Sequence, residues 1–517
     1  MSVVHGMAAF IDRRVNPIVV KELRQAVRSR FIAGMFLFFL GVELLIVGLY
    51  LLAAPDATES MTGGADLAGW LYGLLGLVCV ILVPAYSGIR LAWERSGVQS
   101  DLLFTTTIHA RSIIRGKLLT AAILIALLYS AFAPFIVLTY LLRGVDLIQM
   151  AMALGTTFLY GLASSQFALL LGSIRAGLLG KVFLGLVGLV AVIAWGIAIP
   201  VVLILFSSSS PFGPGPAYAG AALWTSQAVF TAATLAGMGL LYVLSVALLK
   251  PTSANRMWPV RLYLTAAWAV LLAGSILWWI LQSEAEGAMM LWAYLFQSLF
   301  VFVMLIAVSE RETLGPRVRR QIPRSPLSRL PAFLLFSGAA GGLAWTIFMS
   351  GLTLGVVVVL HDGFGAFRGP VFGPGEYQGA LKGLAGLPLY GLAYCLTALL
   401  LRRWLLSKRL RLPPQHTWLL ALALAMIGSL GPLFAMLVVA FGTEYWSGTS
   451  IESSPLLFPN PFLLFQPNGR EVRLAIVLFW ALAAAGASIL WFLRQVAAFR
   501  PLDRSAPAAP AAPVNHA

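Results

Sequence analysis

Charge is what this chain is shortest of. Of its 517 residues only 10% are Asp, Glu, Lys or Arg, while 60% are hydrophobic. Soluble domains carry about 25% charged residues, so the balance excludes an ordinary soluble protein and reads as a polytopic membrane protein. Cysteine is scarce as well: Cys79 and Cys395 each lie inside an apolar run, and no disulfide framework is expected. The five histidines, His5, His109, His361, His416 and His516, are scattered without metal-ligand spacing, so neither a metal site nor a cofactor is expected. A GxxxxGK[ST] phosphate loop is missing. The nearest pairs, Gly116–Lys117 and Gly180–Lys181, lack both the upstream glycine and the following Ser or Thr. The chain is therefore expected neither to hydrolyse ATP nor to be an enzyme. A cleavable signal is missing too, because the polar N-terminal stretch of about 30 residues is too long for an n-region. The first span reads as a signal anchor.

What the chain has in quantity is long apolar runs. A spanning helix needs about 20 residues, and twelve windows qualify, near 31–54, 68–89, 118–142, 147–172, 182–206, 222–249, 262–282, 288–308, 333–360, 380–401, 417–441 and 472–493. With the N-terminus inside, the cytoplasmic segments are 1–30, 90–117, 173–181, 250–261, 309–332, 402–416 and 494–517. They hold every Lys and Arg except Arg143, Arg368, Lys382, Arg470 and Arg473. The outer loops hold most of the acids, such as Asp56, Glu59, Asp66, Glu284, Glu444 and Glu452. That bias is the signature of a bacterial-type plasma membrane protein with both termini cytoplasmic. The net charge of +16 then belongs to loops touching anionic lipid heads, and no nucleic-acid partner is expected.

The expected fold is all-α, with about twelve transmembrane helices in two halves of six. Both halves end their second span in Glu-Arg, at Glu94–Arg95 and Glu310–Arg311, and follow it with a long basic loop. Each also places a long outer loop before its sixth span, Ser207–Gly220 and Gly442–Glu471. The second of these contains SPLLFPNPFLLFQPNGRE, apolar enough to dip back into the membrane surface. The parallels suggest a 6+6 pseudo-repeat. Residues 1–30 form a cytoplasmic N-terminus, 31–250 the first half, 251–500 the second, and 501–517 a disordered Pro/Ala-rich tail.

Three stretches carry the functional expectation. Asn16 is a good N-cap and Pro17 a good first helical residue. From there Val19, Val20, Leu23, Ala26 and Val27 share one face, with Lys21, Arg24, Gln25 and Arg28 on the other. This predicts an amphipathic helix in the membrane interface, or else the start of one long first span. The second stretch is Glu94 to Lys117, ERSGVQSDLLFTTTIHARSIIRGK, a basic loop between two spans. Ser100–Asp101 can cap a short helix there, followed at once by Leu102, Leu103 and Phe104. An apolar tip facing cytosol suggests a protein partner. The third is Glu43, the one acid deep in a span. An intramembrane carboxylate is a functional candidate by default; its structural reading is a protonated or hydrogen-bonded carboxyl facing neighbouring helices.

These residues also carry a resemblance. Asn16-Pro17 with Lys21-Glu22-Leu23-Arg24 before the first span resembles the N-terminus of ABC-2 type transporter permeases. The segment with Glu94-Arg95, Gly97, Leu102-Leu103, Thr105 to Thr107, Ile113-Ile114 and Gly116-Lys117 is similar to that family's segment between its second and third spans. The resemblance implies an export-type permease without its own nucleotide-binding domain. It also implies a separate ATPase subunit that docks on the cytoplasmic loops and drives the substrate across the membrane; two copies of that ATPase are what the 6+6 pseudo-repeat suggests. Two other classes fit the sequence less well. A secondary transporter of the major facilitator superfamily fits twelve spans and the Glu94-Arg95-Ser96-Gly97 run, but the second basic pair of its loop is missing. A polytopic enzyme acting on lipid-linked groups needs clustered Asp, Glu, His or Arg at an interface, and no such cluster is visible.

Overall fold

The computed structural model describes residues 17–53, 63–96, 109–142, 147–174, a few positions within 181–193, and 221–251. It further describes residues 253–281, 286–364, 374–406, 414–442, 458–465 and 469–502. Every regular element among them is helical. The chain divides into two compact units, Met1–Lys250 and Pro251–Ala517. Ten helices among the described residues are long and apolar enough to cross a membrane.

In the first unit, α1 (Pro17–Val27) precedes α2 (Arg30–Ala53). Then α3 (Gly63–Leu77) passes through a π-helical turn, Val78–Leu82, into α4 (Val83–Ser96), and α5 (Ala110–Leu141), α6 (Leu147–Gly172) and α7 (Ala221–Leu249) complete it. Helix α2 buries one stripe, Ile32, Met35, Phe39, Glu43 and Val47. Its other faces leave Leu37, Phe38, Leu44 and Leu52 exposed. In water such a surface would be an aggregation hazard; against lipid tails it is the ordinary outside of a span, with every backbone group satisfied inside the helix. The unit's core joins that stripe to Leu71, Leu75, Val78, Leu128 and Phe132. Helices α4 and α6 touch backbone to backbone: a Cβ on Gly172 would sit 2.5 Å from the Gly88 carbonyl oxygen. Only a residue without a side chain allows that approach.

The second unit runs α8 (Trp258–Leu281), α9 (Glu286–Val308), two short helices α10 (Pro316–Arg319) and α11 (Pro326–Leu335), then α12 (Ala339–Phe364), α13 (Pro374–Leu401), α14 (Thr417–Gly442) and α15 (Arg470–Ala498). Its core gathers Met304, Val308, Leu343, Leu396, Leu399 and Trp491. Some of the polar groups inside it are paired, where a low dielectric strengthens the bond. Trp268 Nε1 donates to Thr353 Oγ1 at 2.9 Å and Gln297 Nε2 to the Ser350 carbonyl at 3.1 Å. Residues 458–465 fold back on α13 and α15: Tyr390 and Tyr394 donate to the carbonyls of Phe458 and Pro459, and Leu464 is fully buried. Irregular backbone survives in an apolar setting only when so covered.

Several expected boundaries move. Residues 90–117 are not all loop. Helix α4 runs on to Ser96 and α5 begins at Ala110, so Arg90, Glu94, Arg95, Arg111, Arg115 and Lys117 are helical. An expected span over 333–360 breaks between Leu335 and Ala339. The cause is Arg261, whose Nη1 takes the carbonyls of Leu334 and Phe336 and ends α11 there. The expected fifth span, 182–206, falls largely outside the described residues, as does the stretch from Gly97 to Ile108 with its expected short helix. In α14 the described apolar stretch is Thr417–Gly431.

Candidate functional site

The N-terminal helix meets the flanks of the 97–108 segment in a cluster of four charges, of which Glu22 and Lys117 are buried and Arg90 and Glu94 half-buried. Helix α1 begins on Pro17, whose fixed φ suits a first turn, and it packs on α5. Its innermost residues are Val19, Glu22 and Ala26, at spacings of three and four. Glu22 is therefore turned into the protein at 4% exposure, while Lys21 and Arg24 stay exposed, Leu23 is half-buried and Val27 points outward. This corrects the expected face: Val27 is not part of it and Glu22 is its centre. The helix also ends at Val27, before α2 starts at Arg30, so it is not the beginning of the first span.

Lys117, on the second turn of α5, reaches Glu22 Oε1 at 2.8 Å and Glu94 Oε2 at 2.9 Å. Its depth along α5 is about 10 Å from the helix start, at 1.5 Å per residue. Arg90 Nε lies 2.9 Å from Glu22 Oε2 and 3.9 Å from Glu94 Oε1, and its Nη1 donates to the Tyr86 hydroxyl at 2.6 Å. Arg90 and Glu94 sit one turn apart on α4. Two acids alternate with two bases, so the cluster is neutral. Two carboxylates facing one another would repel; Lys117 between them turns the arrangement attractive. A narrow recess lined by Glu22, Tyr86, Ser87, Arg90, Lys117 and Thr120 opens beside it.

The other expected residues fall as follows. Arg95 Nη2 donates to the Leu248 carbonyl at 3.3 Å, tying α4 to the end of α7. Gly116 is buried on α5 and its carbonyl accepts from Thr120. Pro17 opens α1, while Asn16, Leu102, Leu103 and Phe104 lie outside the described residues. Glu43 is fully buried on the α2 stripe, and neither carboxyl oxygen has a hydrogen-bond partner among the described residues. It stands apart from the four-charge cluster, along α2 from its start.

Sequence reasoning missed Arg90 and Tyr86. The available signal was the spacing: Tyr86, Arg90 and Glu94 recur every four residues on one helix face. Further basic groups lie on α5 and at the end of α7. Arg115 Nε donates to Tyr242 at 3.0 Å. Burial, with Arg111 nearby, holds the Lys250 amine below the usual lysine range.

No protein-family model, no curated protein and no solved structure matches the chain. The site must therefore be read from its own geometry. Among the described residues no group of three or more His, Cys, Asp or Glu could hold a metal ion. The cluster ties α1 to both helices that flank the 97–108 segment, through Lys117 on α5 and Arg90 on α4, and ties those two helices to each other through Lys117 and Glu94. A shift of α5 along its axis by one residue's rise, about 1.5 Å, would strain both Lys117 contacts.

Proposed function

We infer that this chain is the membrane-spanning permease subunit of an ABC-2 type transporter, an exporter driven by a separate ATPase that docks on its cytoplasmic loops. The observation that carries the reading is the tie of Glu22 and Glu94 to the buried Lys117. It links the Lys21-Glu22-Leu23-Arg24 helix to the Glu94-Arg95 and Gly116-Lys117 ends of one loop, the same segments that carry the sequence resemblance. A transporter that borrows its energy must pass motion through a contact whose affinity differs between two states. A segment whose two flanking helices are tied to each other and to α1 by ion pairs is suited to that task.

The finer reading is twelve spans in a 6+6 pseudo-repeat, in a bacterial-type plasma membrane with both termini cytoplasmic. One chain then supplies both halves for two ATPase copies. The second unit offers a parallel for the repeat. Glu310, just past its second span, accepts from Arg261 at the start of its first span and from the Gly338 backbone N–H at the start of its third. Glu94 holds the corresponding place in the first unit.

The test is affinity purification of the tagged chain from native membranes. A co-purifying protein with a phosphate loop, and ATP hydrolysis that disappears when it is stripped away, is the expected result. Transport by the purified chain alone, driven by an ion gradient, overturns the reading in favour of a secondary transporter.

A further inference from the structure

Helices α10 and α11 join the end of α9 at Val308 to the start of α12 at Ala339. Both ends of the connection are ends of spans, so the connection lies at a membrane face. It is already folded against α15. Ile322, Ala332 and Phe499 share a small buried cluster. Phe333 packs edge-on against Phe499, with ring centroids 5.4 Å apart, and Arg319 Nη2 donates to the Ala498 carbonyl at 3.4 Å.

With Ala332 and Phe333 turned inward, the outer face of α11 shows Leu327 at 87% exposure and Leu330 at 71%, with Pro331 beside them. Spacings of three and four put all three on one stripe. The same connection carries Arg317, Arg320 and Arg324, all exposed. The connection's two acids do not offset them, because Glu310 is drawn inward to Arg261 and Glu312 to Arg402.

An apolar stripe alone fits any greasy partner; the cations decide which. They call for a surface with anionic groups outside and an apolar interior beneath, at the level where spans end. We propose that α10 and α11 form a binding platform for anionic phospholipid. Leu327 and Leu330 enter the acyl region, and Arg317, Arg320 and Arg324 bind headgroup phosphates. The pairing of Glu310 with Arg261 and of Glu312 with Arg402 is what leaves the platform's charge uncompensated. A preformed platform binds lipid without first ordering a loop, which lowers the entropic cost of binding.

The test uses the full-length chain with Ser328→Cys, labelled by an environment-sensitive fluorophore; Cys79 and Cys395 are buried and stay unlabelled. The protein is placed in nanodiscs containing brominated phosphatidylglycerol or brominated phosphatidylcholine. Stronger quenching by the phosphatidylglycerol is expected. The preference should fall about fivefold for each arginine changed to Gln, from about 1 kcal/mol per basic residue near an anionic surface. In the unmodified arginine background it should also weaken at about 1 M salt, where the screening length is about 3 Å, which serves if the Gln variants fail to fold. Equal quenching by the two lipids, or a preference indifferent to salt, overturns the proposal. Free access of aqueous iodide with no lipid quenching, or protection only on adding a protein partner, overturns it as well.

Discussion

Lys117 and Glu22 stand 95 positions apart, yet Nζ and Oε1 meet at 2.8 Å with both side chains buried. Removing one partner leaves a buried charge uncompensated, which typically costs about 3–5 kcal/mol. Lys117→Met is therefore expected to lower the thermal midpoint of the detergent-purified protein sharply, since Glu22 and Glu94 then face each other. Glu22→Leu should do likewise. Combined, the two changes should cost clearly less than their sum. Strict additivity in that double-mutant cycle would show that the pair contributes nothing as a pair.

The Arg261 guanidinium makes a second prediction. It fills the space beside Gly342, where a Cβ would lie 2.5 Å from Nη2 and 2.6 Å from the Ala307 Cβ. Gly342→Ala is expected to destabilise the protein by about 1–3 kcal/mol through overpacking. Gly351→Ala on the same helix, where a Cβ meets nothing within 4 Å, should be neutral or slightly stabilising, since alanine favours helix by about 1 kcal/mol. Equal melting shifts for the two variants would refute the crowding argument.

Glu43 gives a third. It interrupts an otherwise apolar stripe, Ile32, Met35, Phe39 and Val47, and its oxygens have no partner among the described residues. An unsatisfied buried polar group costs about 1–3 kcal/mol. If Glu43 is structural ballast, Glu43→Leu should raise the melting temperature and leave transport intact, and Glu43→Lys should block assembly. Loss of transport in Glu43→Gln at normal expression would instead assign the carboxyl a direct role.

These cases show what the sequence makes legible. Apolar runs specify spanning helices wherever they lie, because backbone satisfaction in lipid leaves few alternatives; among the described residues ten of them are helices of spanning length. Helix ends are less visible. Hydropathy stops at the first charge, whereas α4 continues past Arg90 and Glu94 because those charges are paired laterally. The site is only half legible. Glu94 and Lys117 stand at the two ends of one conspicuous stretch, but Glu22 hides among basic neighbours on α1, and a carboxylate reads as surface until its distant cation is placed beside it. The break before α12 is invisible for the same reason, since Arg261 imposes it from another helix.

A fourth prediction is topological. With both termini cytosolic, cysteines introduced at Thr62, Gly215 and Thr449 should react with an impermeant thiol reagent from outside the cell. Arg320→Cys, on the exposed surface beside α10, should react only after the membrane is opened. Labelling of Arg320→Cys from outside would invert the second unit and remove the twelve-span arrangement.

The last prediction concerns the segment whose base the cluster clamps. Leu102, Leu103 and Phe104 lie between α4 and α5, and in the proposed transporter they are the apolar tip that meets the ATPase. Anchors of this kind dominate protein interfaces, and truncating one typically costs more than about 1–2 kcal/mol, a tenfold or greater loss of affinity. Leu103→Asp and Phe104→Asp should therefore weaken ATPase docking while insertion and folding persist. Glu94→Ala should act differently. It removes one of two carboxylates on Lys117, so the ATPase stays bound but the loop's base can slip, and ATP is hydrolysed without transport. The two phenotypes separate cleanly in one experiment: pull-down of the ATPase with each variant, followed by hydrolysis and transport in the same proteoliposomes. Undiminished co-purification and transport in both aspartate variants would mean that the tip lies in the lipid interface. The Glu22–Lys117 tie would then be a packing device alone.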